Sequence, residues 1–196
     1  MPIIGSGLKT LLLEAFAAAV GILPPALREN FVLIGGTSML ALGGMRETLD
    51  VDIVVTAKAL NAFCEAAALD SRFSQDTMNS WYYTSATPGI ENLSTSFEFL
   101  AMGGGFAPMI RAARPVLGGF RAGLAELILM KAKALDSRGE DKDRDDLHFL
   151  LDKMEASEES FAGVEMEDED LEVLKVSVRG LGGQYSVLLR NFLQRP

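Results

Sequence analysis

"FVLIGGTSMLALGGMRETLDVDIVV", residues 31–55, decides how the chain reads. Its two apolar runs, "FVLI" and "IVV", have the length and branching of buried strands. The first ends in the glycine pair Gly35–Gly36, the second opens on Asp50 and Asp52, and "TSMLALGG" between them reads as a short helix starting at Thr37 or Ser38. Residues i and i+2 of a strand point to one face, so both carboxylates share a side, roughly 7 Å apart along the chain. Two ionised acids at that spacing repel by about 2 kcal/mol at an effective dielectric near 20. Ile53, Val54 and Val55 demand burial, which limits relief by solvent. A divalent cation removes the conflict, and hard oxygen ligands select magnesium or manganese over zinc.

The glycine pair supplies the opposite half of such a site. Glycine lets backbone approach a ligand and adopt positive φ. A helix beginning just after it aims free N–H groups and partial positive charge at an anion. Gly35, Gly36, Thr37 and Ser38 are therefore the candidate phosphate-holding residues. A third acid comes from "TSFEFLAM", where Phe97 and Phe99 alternate with Ser96 and Glu98. If that strand lies beside the Asp50–Asp52 strand, Glu98 completes a set of three ligands. If it does not, Glu98 is a solvent-facing acid on a half-exposed strand.

Outward from this centre the pattern is mixed. "LKTLLLEAFAAAVGIL" carries the stripe Leu8, Leu11, Leu12, Ala15, Phe16 and Ala19, and Glu14 interrupts it, so it reads as an amphipathic helix rather than a signal peptide. No stretch is expected to be long enough to span a membrane. "AKALNAFCEAAALD" reads as a helix with Cys64 as a small core residue, and "SWYYTSA" as a strand. From about residue 123 the chain turns helical: "LAELILMKAKALDSR", "DKDRDDLHFLLDKM", "DLEVLKVSVRG" and "GQYSVLLRNFLQ". Between Lys153 and Lys175 stand nine acids and no base, which reads as a solvated loop running into an acidic helix start. The expected class is α+β: a small mixed sheet with flanking helices over residues 1–122 and a helical part over residues 123–196.

At 196 residues and 48% hydrophobic content the chain can bury a real core. A net charge of -9 disfavours non-specific coating of nucleic acid. One cysteine and one histidine exclude an intramolecular disulfide and a multi-histidine metal site, and suit a reducing, cytoplasmic setting.

"IGGTSMLALGGMRETLDVDIVV" resembles the signature of the DNA polymerase β-like nucleotidyltransferase superfamily: a hydrophobic residue, a glycine pair, a spacer, then Asp-x-Asp. Thirteen residues separate Gly36 from Asp50. The "R-x-T-x-D-x-D" form, with Arg46 and Thr48, is similar to the abortive-infection type toxin nucleotidyltransferases, and "MKAKALDSRGEDKDRDDL" is similar to their later helical motif. The resemblance spans about residues 6–151. It implies transfer of a nucleoside monophosphate from a nucleoside triphosphate to a hydroxyl acceptor, which is an RNA end, a protein or a small molecule. It implies two Mg2+ or Mn2+ ions on Asp50, Asp52 and Glu98, with Glu98 helping to deprotonate the acceptor, and Arg46 among the nucleotide-binding residues. Lys131 would offset phosphate charge, and Asp143 would orient it or act as a base beside Asp146 and Arg138. The alternatives are a catalytically silent nucleotide binder, as in a toxin–antitoxin-like pair, and a metal-dependent phosphoesterase.

Simpler readings accompany each residue. The two aspartates can cap a strand, Arg46 can pair with Glu47, Lys131 can be a routine helix residue, and Asp143 and Asp146 can favour a helix N-terminus. His148 reads as a helix-face residue, and Trp81, Tyr82 and Tyr83 as sheet packing rather than a nucleobase platform. Eight of the eighteen lysines and arginines lie between Arg111 and Arg144, the best stretch for a polyanionic acceptor.

Overall fold

The structure is a computed structural model that describes residues 3–45, 48–104, 107 and 109–194. The chain divides into two compact units, Met1–Gly104 with Ala113–Arg121, and Gly105–Ala112 with Ala122–Pro196.

The first unit holds helix α1 (Ile3–Ile22), a 3-10 turn (Pro25–Asn30), strand β1 (Phe31–Leu33), helix α2 (Gly35–Ala41), strand β2 (Asp50–Val55) and helix α3 (Ala57–Ala67). Strands β3 (Phe73–Gln75), β4 (Trp81–Thr84), β5 (Ser94–Ala101), β6 (Arg114–Val116) and β7 (Gly119–Arg121) follow. One mixed sheet runs in the order β3-β4-β5-β2-β1-β7-β6. The functional strands are central: β2 pairs antiparallel with β1 and parallel with β5.

Period-two alternation sorts the two faces of the sheet. Val51, Ile53 and Val55 of β2 join Phe31, Leu33, Phe97, Trp81 and Tyr83 in the core. Leu11, Leu12, Ala15, Phe16, Ala19 and Val20 of α1 and Ala59, Phe63 and Ala67 of α3 close over them. Phe63 is the hub, with the rings of Phe31, Phe73, Trp81, Phe97 and Phe99 centred 5.2 to 5.7 Å away, within the range of favourable aromatic pairs. Trp81 and Tyr83 are thus sheet-packing residues. Cys64 lies half-buried against this core, and burial pushes its thiol pKa up. The intervening residues of β2 and β5, including Asp50, Asp52 and Glu98, must face the other way.

Two sequence expectations are corrected here. Gly5–Ile22 is an 18-residue window of mean hydropathy 1.3, so by length and composition α1 does meet the requirement for a membrane span. The expectation that no stretch is long enough fails because the alanine-rich run outweighs Lys9 and Glu14 in the average. In this fold its buried stripe packs in the core, and Glu14 accepts hydrogen bonds from Tyr83 Oη at 2.6 Å and Ser85 Oγ at 3.0 Å. The second correction concerns α2, which starts at Gly35 rather than at Thr37 or Ser38, with Ile34 as its N-cap. Gly35, at φ +60°, makes the turn into the helix without a separate loop.

The Glu14 contact has a measurable consequence. Burial, reinforced by the hydrogen bond to Glu14, pushes the Tyr83 pKa from 10.0 up to about 12. A raised folded-state pKa leaves stability intact below the unfolded value and removes it as pH climbs towards the folded one. Unfolding free energy should therefore fall from about pH 10 towards about pH 12, and Tyr83→Phe should flatten that limb in urea titrations. An equal alkaline slope in both proteins would contradict the assignment.

The second unit contains α4 (Leu124–Arg138), α5 (Asp141–Glu155), α6 (Asp168–Arg179) and α7 (Gly183–Gln194), the four helices expected from the pattern. Its core is built by Leu127, Ile128, Leu147, Leu150, Leu151, Leu174, Leu189 and Phe192. Glu126 is fully buried there, accepting from the backbone N–H groups of Arg111 at 2.6 Å, Ala112 at 3.0 Å and Gly123 at 2.9 Å. Those three donors replace the water a buried carboxylate loses.

Candidate functional site

The register of β2 on β5 sets Asp50 beside Ser96 and Asp52 beside Glu98. Neighbouring residues of a parallel pair share a face, so three acids emerge together on the side away from the aromatic core. One carboxylate oxygen from each of Asp50, Asp52 and Glu98 lies within 4.8 Å of the others. Asp50 and Asp52 are half-buried and Glu98 is exposed, leaving the trio open to solvent on one side.

The glycine turn lies directly on this trio. Ile34 N–H donates to the Asp52 carbonyl at 3.0 Å, which draws the start of α2 against β2. A Cβ on Gly35 would overlap the Asp52 carboxylate, and positive φ disfavours a side chain there in any case. A Cβ on Gly36 would stand 2.5 Å from the Thr48 Cβ. Both glycines are thus required by close approach. Ser38 N–H makes the first intrahelical bond, to Ile34 O at 3.1 Å, so the N–H groups of Gly35, Gly36 and Thr37 precede the helical ladder.

Side chains on this turn divide in role. Thr37 is buried, and its hydroxyl donates to the Asp50 carbonyl at 2.8 Å, so it braces β2. Ser38 is also buried, and its hydroxyl is the buried side-chain oxygen that lacks a hydrogen-bond partner among the described residues. Neither caps α2. Arg46 lies outside the described residues.

The donor set suits a hard divalent cation. An ion bound at about 2.1 Å holds two ligating oxygens no more than about 4.2 Å apart, so the trio needs only a rotamer-scale adjustment to share one. All-oxygen, all-anionic ligation favours a hard divalent cation over the softer transition metals.

Lys131 and Asp143 lie in the helical unit, within a closed ionic cluster. Lys131 Nζ is 3.2 Å from Asp143 Oδ1 and 2.8 Å from Asp146 Oδ2. Arg138 donates to both oxygens of Asp143, at 2.9 and 3.2 Å. Asp143 is fully buried and thereby cross-links α4 to α5 while orienting Lys131 and Arg138. Of the eight cations between Arg111 and Arg144, Arg111, Lys131, Lys133, Arg138, Lys142 and Arg144 each face a carboxylate. The basic stretch is largely neutralised by its own unit. His148 packs edge-on to the Tyr185 ring with centroids 4.6 Å apart, in keeping with a helix-face residue.

Sequence reading missed Thr95, whose hydroxyl donates to the Leu49 carbonyl at 2.8 Å, and Glu126. Thr95 depends on a partner 46 residues away, whereas Glu126 also carries a local sign, standing three residues after Gly123 at the capping-box position of α4.

No family model and no curated protein matches the sequence. Among solved structures, the chain is similar to an antigenic nucleotidyltransferase-like protein from Paracoccidioides brasiliensis, with a TM-score of 0.62 at 16% identity over 94% of this chain and 93% of that one. It is also similar to JHP933 from Helicobacter pylori, with a TM-score of 0.51 at 17% identity over 91% of this chain and 89% of that one. Together with the central β2–β5 pair and its acidic trio, these likenesses establish that the chain has a nucleotidyltransferase-like fold.

Proposed function

We propose that the protein is a metal-dependent nucleotidyltransferase, moving a nucleoside monophosphate from a triphosphate onto a hydroxyl of an RNA end, a protein or a small molecule. The observation that carries this reading is the convergence of Asp50, Asp52 and Glu98 within 4.8 Å against the Gly35 turn. Magnesium or manganese bound by the three acids supplies charge neutralisation and Lewis-acid polarisation of the α-phosphate.

The chain's own groups do the rest. Asp50 and Asp52, both half-buried, would hold the cation that neutralises the α-phosphate, and the Thr37 hydroxyl braces the Asp50 backbone. Glu98, the exposed member, takes the proton of the acceptor hydroxyl as its oxygen bonds to the α-phosphorus and the bond to the bridging oxygen breaks. The backbone N–H groups of Gly36 and Thr37, with the Ser38 hydroxyl, hold the β- and γ-phosphates that leave as pyrophosphate.

The test uses triphosphates labelled at the α-phosphate, with Mn2+, and supplies total RNA, the protein itself and a panel of small hydroxyl compounds as acceptors. Label should move to one acceptor class with release of pyrophosphate. Measurable triphosphate binding without pyrophosphate from any of the four nucleotides would contradict transfer and favour a silent nucleotide binder.

A further inference from the structure

Thr48 stands at the junction of the glycine turn and the acidic trio. It lies two residues before β2 in the connection from α2, is 8% exposed, and donates its hydroxyl to Asp50 Oδ1 at 3.0 Å. Its side chain is also what forbids a Cβ at Gly36, where a methyl group would meet Thr48 Cβ, Oγ1 and Cγ2 at 2.5, 2.6 and 2.9 Å. Thr48 is therefore wedged between the first turn of α2 and the carboxylate of Asp50.

Three threonines from three segments converge on residues 49 and 50. Thr95 of β5 holds the Leu49 carbonyl, and Thr37 of α2 holds the Asp50 carbonyl. Both brace the backbone. Thr48 alone of the three reaches the carboxylate itself. A carboxylate on a strand turns freely about its last torsion unless something holds it, and one hydroxyl on Oδ1 sets that angle. The bond leaves ligating capacity intact, because a carboxylate oxygen has two lone pairs.

We infer that Thr48 is a positioning residue that presets the Asp50 carboxylate for the divalent cation, acting through its hydroxyl. The inference rests on the metal-site reading above and deepens it. Partners that orient a metal ligand typically contribute about 10- to 100-fold to metal affinity. The glycine at position 36 is then explained by the same device, since any side chain there would dislodge the hydroxyl from Asp50.

The experiment titrates Mn2+ into the full chain without nucleotide and follows free Mn2+ by electron paramagnetic resonance, a readout independent of turnover. Thr48→Val keeps the shape and removes the hydroxyl; Thr48→Ser keeps the hydroxyl. Expected is an affinity about 10- to 100-fold weaker in Thr48→Val, with Thr48→Ser near wild type and both apo proteins showing the wild-type circular dichroism spectrum. Should Thr48→Val not fold, Thr48→Ala serves as the hydroxyl-free arm. Wild-type affinity in the hydroxyl-free variant overturns the inference while the metal site stands. Equal weakening in Thr48→Ser and Thr48→Val also overturns it, because packing and not the hydroxyl would then matter. A wild-type protein that binds no Mn2+ overturns both the metal-site reading and this one, a result visible before any variant is made.

Discussion

Asp52→Asn should abolish the Mn2+-dependent thermal stabilisation and cut nucleotidyl transfer by about 10³-fold, a loss of roughly 4 kcal/mol of transition-state stabilisation. Asp52 is the middle acid: Asp50 is two residues back on the same face and Glu98 is its neighbour on β5. At separations within 4.8 Å, each ionised pair repels by about 3 kcal/mol at an effective dielectric of 20, less where Glu98 meets solvent. Replacing the central charge with a neutral isostere relieves two of the three pairs and keeps the packing against Gly35. On the reading proposed above, the same change removes a ligand whose charge stabilises a developing transition state, and about 1.4 kcal/mol of that stabilisation is a factor of ten in rate. An acid trio that merely decorates a strand would show no Mn2+ response in the wild type, and so none for Asp52→Asn to remove. The check is differential scanning fluorimetry with and without Mn2+, beside the label-transfer assay.

Gly35→Ala should lower stability and metal response together. An alanine at φ +60° costs roughly 1–2 kcal/mol from backbone strain alone. Its methyl would also overlap the Asp52 carboxylate, so Asp52 must leave its position or α2 must lift from β2. Forcing such a shift in a packed region adds about 1–3 kcal/mol. A loss of about 2–5 kcal/mol in urea unfolding is expected, together with loss of the Mn2+-dependent rise in melting temperature. Asp52→Asn removes the charge and Gly35→Ala displaces it, so the pair separates electrostatic from steric control of one carboxylate. An apo stability of Gly35→Ala equal to wild type would show that the turn does not press on Asp52.

The central site was legible in the sequence because its geometry follows from period-two alternation. Asp50 and Asp52 share a face by counting, and Phe97 and Phe99 around Glu98 fix which way Glu98 turns. Adjacency of β5 to β2 was a condition that counting leaves open, and the parallel register meets it. The start of α2 was misplaced because glycine has low helix propensity, while here the close approach to Asp52 and Thr48 overrides that preference. Strands β3, β6 and β7 are three residues each, too short to display alternation, and Pro115 marks β6 as the edge strand that the sheet order makes it. Two of the ion pairs that neutralise the basic stretch were hidden for a different reason. Lys133 meets Asp170 and Arg111 meets Glu165 across long sequence separations, so a window count of cations overstates the positive surface. The threonine braces on residues 49 and 50 escaped notice likewise, since a hydroxyl declares its acceptor only once the register exists.

The most direct test of the shared-ion site is anomalous diffraction from crystals grown with Mn2+ and a non-hydrolysable triphosphate. The predicted result is a manganese peak at about 2.1–2.3 Å from carboxylate oxygens of Asp50, Asp52 and Glu98, with triphosphate oxygens against the N–H groups of Gly36 and Thr37. Manganese bound elsewhere, or Glu98 swung away while the triphosphate is present, would contradict it.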